Sequence, residues 1–110
     1  METKKLLNQL GLVEYIAFDF ETTGLNPNED RIIEIAAIKF LNGKPVDRFV
    51  TLVNPERPID PFITDITGIS DKMVKEEPIE LDILDDFLEF LSGLPLVAVS
   101  YTHLTLPPNR

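Results

Sequence analysis

Two acidic residues near the start of the chain have the type and spacing of a metal site. Asp19 and Glu21 are separated by one residue at the end of a segment rich in β-branched and aromatic residues, Val13 to Phe20. Because side chains alternate faces along a strand, we expect both carboxylates on one face, ~6–7 Å apart. All-oxygen ligands favour Mg²⁺ or Mn²⁺. Two such ions can stabilise the attacking and leaving oxygens of a phosphoryl displacement.

The pair alone leaves several interpretations open. Asp and Glu two residues apart at a strand end are common as solvated or loop-capping residues. A strand-end acid is also typical of aspartyl-phosphate phosphatases with an Asp-x-Asp motif, but Glu21 is one methylene too long for that geometry. The choice between a metal site, a structural pair and a phosphatase therefore depends on the surrounding elements.

The first half of the chain predicts a buried strand followed by a hairpin. Val13 to Phe20 is strand-like, and Gly, Pro and Asn residues predict a loop over residues 23–28. Arg31 to Leu41 contains Ala and Glu that suit a helix, but its isoleucines and Phe40 favour a strand. Asn-Gly at 42–43 is the strongest short hairpin signal, so Val46 to Val53 should return antiparallel.

The second half predicts helices and one more strand. Prolines punctuate a loop, Asp60 to Met73 predicts two short helical turns, and Pro78 suits the first turn of a longer helix that Gly93 ends. Leu94 to Val99 predicts a strand. The apolar face of the longer helix comprises Ile83, Leu84, Phe87, Leu88 and Leu91. The order of strands, hairpin, helices and strand predicts an α/β domain with a mixed sheet and flanking helices.

Composition restricts the class of protein further. The 110 residues carry a net charge of -9 and are 44% hydrophobic, which is enough for one small core and too much for a disordered acidic chain. The absence of cysteine excludes a disulfide scaffold and a thiolate zinc site. The acidity argues against a general nucleic-acid clamp, so any contact with nucleic acid would have to be local or mediated by metal ions. With no long apolar run and no signal peptide, we expect a cytoplasmic protein without membrane contact.

A longer pattern surrounds the acidic pair. The string DFETTGLNPNEDRIIEIAAIKF, followed by VNPERPI and ITDITGISDKMV, resembles the DnaQ-like 3′–5′ exonucleases of the DEDD superfamily, which have a ribonuclease H-like fold. The resemblance covers Val13 to Ala98 and is strongest to the bacterial proofreading type, as in the polymerase III epsilon subunit and PolC, or fused to a DinG-like helicase. It implies an enzyme of replication or repair that hydrolyses the terminal phosphodiester bond at a single-stranded DNA 3′ end, with a polymerase or a fused helicase as partner.

The resemblance also implies roles for individual residues. Asp19 and Glu21 match the family's first acidic pair, which binds two Mg²⁺ or Mn²⁺ ions. The family has a segment that closes over the terminal nucleotide, and Thr22, Thr23, Gly24 and Leu25 match it. It also has a turn that lines the same pocket, which Thr67, Gly68 and Ile69 match. Without the family, Thr67 and Gly68 would be interpreted as a helix-ending turn. Glu34 is expected to be a structural partner or an edge residue rather than a ligand.

The family's chemistry needs residues beyond this pair. Two further Asp residues and a His or Tyr general base complete its site, and the second Asp follows a strand matched here by LPLVA. Val99 stands where that segment has a His, and no acidic residue follows it. His103, the sole histidine, lacks the spacing of a general base.

We therefore expect three parts and an incomplete site. Residues 1–12 are a leading segment, residues 13–98 the N-terminal part of an incomplete ribonuclease H-like exonuclease domain, and residues 99–110 a non-family tail that resembles translated adapter sequence. The chain as written should be inactive, with half of a two-metal site. The alternative is a non-catalytic fragment, or a nucleic-acid-processing subunit without its own activity.

Overall fold

A mixed β-sheet forms the centre of the computed structural model, which describes residues 13–26 and 28–99. Within these residues the strands are β1 (Glu14–Thr22), β2 (Ile32–Leu41), β3 (Lys44–Leu52) and β4 (Leu96–Ala98), in the sheet order β3-β2-β1-β4. Strands β1, β2 and β3 are antiparallel neighbours, whereas β4 is parallel to β1. The predicted α/β fold with a mixed sheet is confirmed.

The hairpin between β2 and β3 forms where the Asn-Gly pair predicts it. Asn42 (φ 53°) and Gly43 (φ 80°) both adopt positive φ, as a two-residue type I′ turn requires. The strand prediction for the segment after Arg31 is confirmed as β2. β3 begins at Lys44 rather than at the predicted Val46, because the tight turn pairs Lys44 directly with Leu41.

Two short helices follow β3, as the sequence predicts. These are α1 (Pro61–Thr67) and α2 (Asp71–Val74). The Asp60 carboxylate caps α1 by accepting a hydrogen bond from the N–H of Phe62 at 2.9 Å, a typical use of Asp before a helix. Gly68 ends α1 in the left-handed conformation (φ 79°), and its N–H donates to Thr64 O.

The longer helix, α3 (Glu80–Leu91), buries a different strip from the one predicted. Ile83 and Phe87 are buried, as predicted, but Leu84 and Leu88 are exposed. Phe90, absent from the predicted face, packs against the core instead. The reason is geometric, since residues four, seven and eight positions after Ile83 face the sheet while Leu84 and Leu88 lie to one side of that strip.

The two faces of the sheet support separate apolar clusters. On one face, α3 packs on β1 and β2 around Ile16, Ile35, Ala37, Val53, Ile83 and Phe87. A second cluster joins α1 and α2 to the bulged end of β2 and comprises Ile33, Ile59, Ile63, Ile69 and Val74. Because Ile16, Phe18 and Phe20 of β1 point toward α3, the alternate residues Asp19 and Glu21 lie on the opposite face.

Several predictions fall outside the described residues. The leading segment, residues 1–12, and residues 100–110 with His103 belong to them. The predicted boundaries after residues 12 and 98 are therefore still predictions. None of the helices in ranges 13–26 and 28–99 is long and apolar enough to cross a membrane.

The contact between α3 and the sheet predicts a large cost for truncating Phe87. Its ring lies 6.0 Å from that of Phe20 and 5.5 Å from that of Phe49, measured between centroids. We expect Phe87→Ala to lower the free energy of unfolding by about 3–5 kcal/mol, measured by urea denaturation. Leu81→Ala, at a position that is 77% exposed on the same helix, is the control and should cost less than about 0.5 kcal/mol. Equal losses in the two variants would contradict this packing.

Candidate functional site

Strand β1 places the predicted metal ligands on one face of the sheet. Asp19 and Glu21 are both strand residues, so their side chains leave the sheet on the same side. Asp19 is half-buried, and Glu21 is only 4% exposed. The expected placement of the two carboxylates is thus what the structure shows, with Glu21 in the less solvated position.

A β-bulge lies directly after Glu21. In the register, Glu21 pairs with Glu34 and Thr22 pairs with Ile32, so Ile33 is the extra residue. Bulges bend a strand and redirect its side chains, and they are frequent beside active sites. Here the bulge is the point at which β1 stops pairing regularly and the chain turns into the loop that follows.

The regular register before the bulge places Glu34 beside the acidic pair. As the antiparallel partner of Glu21, Glu34 lies on the same sheet face as the acidic pair, nearer to it than the sequence suggests. The donor set of these side chains is all oxygen, which suits a hard divalent cation. The arrangement of Asp19 and Glu21 therefore fits Mg²⁺ or Mn²⁺.

The described residues contain no larger cluster of candidate metal ligands. In residues 13–26 and 28–99, no three His, Cys, Asp or Glu side chains are arranged to hold one metal ion.

The loop after β1 is closed by hydrogen bonds of buried Thr23. Its N–H donates to Arg31 O at 2.8 Å, and its hydroxyl accepts from the N–H of Arg31 at 3.1 Å. The same hydroxyl donates to Asp30 Oδ1 at 2.6 Å. The hydroxyl of Thr22 donates to Gly24 O at 2.6 Å. Both threonine hydroxyls therefore organise the loop, and the contact of this segment with a nucleotide stays a prediction.

Gly24 is required by a close approach rather than by a positive φ. A Cβ atom at this position would lie 2.6 Å from Asp30 Oδ2, inside van der Waals contact. The next residue, Leu25, is 79% exposed. The loop thus holds a large apolar side chain in solvent, where it could pack against the sugar or base of a bound nucleotide.

The predicted second wall is a helix-ending turn in the structure. The hydroxyl of Thr67 donates to Ile63 O at 2.8 Å and accepts from the N–H of Ile69 at 3.1 Å, while Gly68 adopts the left-handed conformation. Ile69 is buried in the cluster with α1 and α2. These contacts account for the three residues structurally, and their contact with substrate is still a prediction.

A cleft of about 850 Å³ lies beside the loop. Its walls are residues 23–26 on one side and residues 57–61 on the other, with Asp30 between them. It brings Thr23, Gly24 and Leu25 together. Thr22 lines an adjoining groove together with Gly24, Leu25 and Glu80. Asp19, Glu21 and residues 67–69 are not among the residues that line the cleft.

The sequence analysis missed Asp30, Arg57 and Asp60. The guanidinium of Arg57 lies 4.0 Å from Asp30 Oδ1, and Arg57 also donates a hydrogen bond to Glu29 O. The N–H of Asp60 donates to Thr23 O at 3.0 Å. An Asp at the end of a Gly- and Asn-rich loop is only a weak sequence signal that its side chain organises the loop. Nothing in the local sequence indicates that Arg57 and Asp60 contact this loop.

The donors around Asp30 change its titration. The Thr23 hydroxyl foremost, then the N–H of Asn26, lower the pKa of Asp30 below its ordinary 3.8. Arg57 adds to this effect, while burial acts in the opposite direction. The side chain is 14% exposed, and the ionised form is the one that the loop stabilises.

The fold is the ribonuclease H-like fold that solved exonucleases share. The nuclease domain of 3′hExo, a DEDDh family member solved with bound rAMP, superposes with a TM-score of 0.68. The match covers 81% of this chain and 52% of that domain at 22% sequence identity, so it establishes the shared fold.

Sequence comparison then gives the family. The RNase_T family model, described as Exonuclease, matches residues 16–102, and the chain belongs to this exonuclease family. It is 53% identical over 85 residues to the PolC-type DNA polymerase III of Caldanaerobacter subterraneus subsp. tengcongensis, covering 77% of this chain and 6% of that protein. It is 45% identical over 86 residues to the DNA polymerase III subunit epsilon of Treponema pallidum, covering 78% of this chain and 40% of that protein.

These matches confirm the resemblance to DnaQ-like exonucleases. They also show that the chain spans well under half the length of both of these relatives.

The lowered pKa of Asp30 predicts an acid-sensitive contribution to stability. The unfolded chain titrates near 3.8, so the stability from ionised Asp30 is fully present above that pH and is lost as pH falls through the lower folded pKa. We expect Asp30→Asn to be less stable than the unchanged chain at pH 6 and the difference to shrink near pH 3, measured by urea denaturation. Thr23→Val should raise the Asp30 pKa in a ¹³C NMR titration, because it removes the foremost donor. An Asp30 pKa at or above 3.8 in the unchanged chain would contradict the hydrogen-bond network.

Proposed function

We propose that this chain contributes to a metal-dependent 3′–5′ exonuclease that hydrolyses the terminal phosphodiester bond of DNA. The observation that carries the proposal is the placement of Asp19 and nearly solvent-excluded Glu21 on one sheet face, at the point where β1 turns into the Gly24 loop. Membership of the exonuclease family supports the reaction class. The names of the relatives, DNA polymerases, support DNA as the substrate and replication proofreading or repair as the setting.

Two groups of residues would have separate roles, one in metal binding and one in orienting the nucleotide. Asp19 and Glu21 would hold divalent ions, which when bound act as Lewis acids and activate water. The main-chain groups of the Thr22–Leu25 loop and the side chain of Leu25 would orient the terminal nucleotide. The Thr67–Ile69 turn would form a second wall. Orientation of this kind contributes to catalysis because it removes freedom before the reaction.

Charge explains why the metal would also control binding. With a net charge of -9 the chain repels phosphates unless cations intervene. Ions held by Asp19 and Glu21 would place positive charge where the scissile phosphate must lie. Binding of a DNA 3′ end would therefore depend on the divalent ion as strongly as hydrolysis does.

Two carboxylates supply only part of the roughly six oxygen ligands that Mg²⁺ takes. We therefore propose that residues 13–98 are the N-terminal part of the catalytic domain, and that these 110 residues alone bind ions weakly and hydrolyse little DNA. Further carboxylates and a general base would come from other segments. A polymerase or a fused helicase would be the partner, and the location would be cytoplasmic.

Metal affinity tests the roles of Asp19 and Glu21. We expect the chain to bind Mn²⁺, and we expect Asp19→Asn and Glu21→Gln each to weaken binding about 10-fold or more, because a charged ligand is lost. Electron paramagnetic resonance of free Mn²⁺ measures this directly. Asp47→Asn, an exposed position on β3, is the matched control and should bind like the unchanged chain. Equal affinity in all four proteins would refute the metal site.

Hydrolysis is tested by transplanting the segment. Residues 13–98 would replace the matching segment of the Caldanaerobacter PolC-type protein, to which they are 53% identical. With Mg²⁺, the chimera should release nucleotides from a 3′-labelled single strand, and Asp19→Asn should slow release at least about 100-fold. The 110-residue chain alone should release almost none. A folded but inactive chimera would oppose the proposed function, and cleavage by the chain alone that Asp19→Asn abolishes would oppose its inactivity.

A further inference from the structure

Asp30 occupies the centre of the loop between β1 and β2. Its Oδ1 accepts the hydroxyl of Thr23 at 2.6 Å, and its Oδ2 accepts the N–H of Asn26 at 2.8 Å. The same carboxylate fills the space that a side chain on Gly24 would need. One side chain therefore contacts three successive parts of the segment that carries exposed Leu25.

The second set of contacts joins this loop to the opposite wall of the cleft. Arg57 lies against Asp30 and donates to Glu29 O, 28 residues away along the chain. Asp60 donates its N–H to Thr23 O at 3.0 Å, and the N–H of Ile59 donates to Asp71 Oδ1 at 2.9 Å. Through these bonds the loop after β1 is connected to the segments that precede α1 and begin α2.

We propose that Asp30 is a positioning residue for the nucleotide-contacting loop of the proposed exonuclease site. Its carboxylate holds residues 23–26 in one conformation, so that the main chain and Leu25 meet the terminal nucleotide without first being ordered. This inference rests on the proposed function for its consequence, although the positioning itself is a property of the chain alone.

The chemistry of the position favours a carboxylate over other groups. Two oxygens of an ionised Asp accept two bonds at once, from a hydroxyl and from a backbone N–H. Asn offers one acceptor, and its NH₂ group would face a donor. Since the Thr23 hydroxyl already accepts from the N–H of Arg31, its proton is directed toward Asp30. Bonds to an ionised acceptor are also the stronger kind.

The expected benefit is preorganisation. A loop that must be ordered on binding loses affinity to the entropy of ordering, and a loop already held in place does not. Leu25, 79% exposed, has little apolar packing of its own to hold it. The Asp30 contacts would supply that restraint at a distance from both Asp19 and Glu21.

The first test uses the ligand-free 110-residue chain and NMR relaxation of its Leu methyl groups and amides. We expect Asp30→Ala to lower the order parameters of Leu25 and Asn26 and to leave those of core residues unchanged. The single substitution Gly24→Ala should disorder the loop, because the new Cβ meets Asp30. Added to Asp30→Ala, the same substitution should have little further effect. Asp47→Ala is the control. Unchanged Leu25 order in Asp30→Ala, or additive effects of the two substitutions, would overturn the proposal.

The second test measures binding of thymidine 5′-monophosphate with Mg²⁺, alongside Mn²⁺ binding alone. Asp30→Ala should weaken nucleotide binding about 5- to 10-fold, as expected when one side chain must be ordered on binding, with Mn²⁺ affinity within about twofold. Equal weakening of nucleotide and Mn²⁺, with disorder at remote amides, would show general destabilisation and overturn the proposal. If Asp30→Ala does not fold, Asp30→Asn and Arg57→Gln replace it. Each should weaken nucleotide binding less than Asp30→Ala would, and again more than it weakens Mn²⁺ binding.

The two tests separate the inference from the function on which it rests. An unchanged chain that binds no nucleotide would count against the proposed function. The order of Leu25 and the coupling of Gly24 with Asp30 would then still decide whether Asp30 positions the loop.

Discussion

The burial of the Glu21 carboxylate is the constraint on which the proposed site depends. Glu21 lies on a central strand, with Glu34 as its pairing neighbour on β2 and Asp19 two residues before it on the same face. Burying a carboxylate is costly, and a divalent cation bound there would offset the cost. The opposite face of β1 makes this possible, since Ile16, Phe18 and Phe20 pack against α3 and fix the strand.

Acidic residues serve two distinct purposes in this chain. Asp30 is satisfied by donors of the chain itself, which lower its pKa and make the loop after β1 rigid. Asp19 and Glu21 are instead the residues that we propose as ligands of an external cation. In that proposal, metal ions would lie between phosphate and a chain with a net charge of -9.

Much of the fold could be predicted because its signals are local. The Asn-Gly turn and the strand-like segment around Asp19 each depend on a few residues, and both appear in the structure. Pro78, predicted in the first turn of the longer helix, instead precedes its N-cap Ile79. The missed features depend on contacts between distant segments. Arg57 reaches Asp30 only after the chain folds, and the bulge at Ile33 sets which residue pairs with Thr22. The prediction for α3 included Leu84 and Leu88 and omitted Phe90 for the same reason, because contact with the sheet determines which apolar residues of the helix are buried.

The most direct test of the central claim is the stability of the 110-residue chain as a function of Mn²⁺ concentration. An ion that binds the folded chain alone raises the free energy of unfolding, by about 2.7 kcal/mol at 100 times its dissociation constant. We expect the thermal unfolding temperature of the unchanged chain to rise with Mn²⁺ concentration, and we expect no such rise in Glu21→Gln. No shift in the unchanged chain, or the same shift in Glu21→Gln, would contradict it.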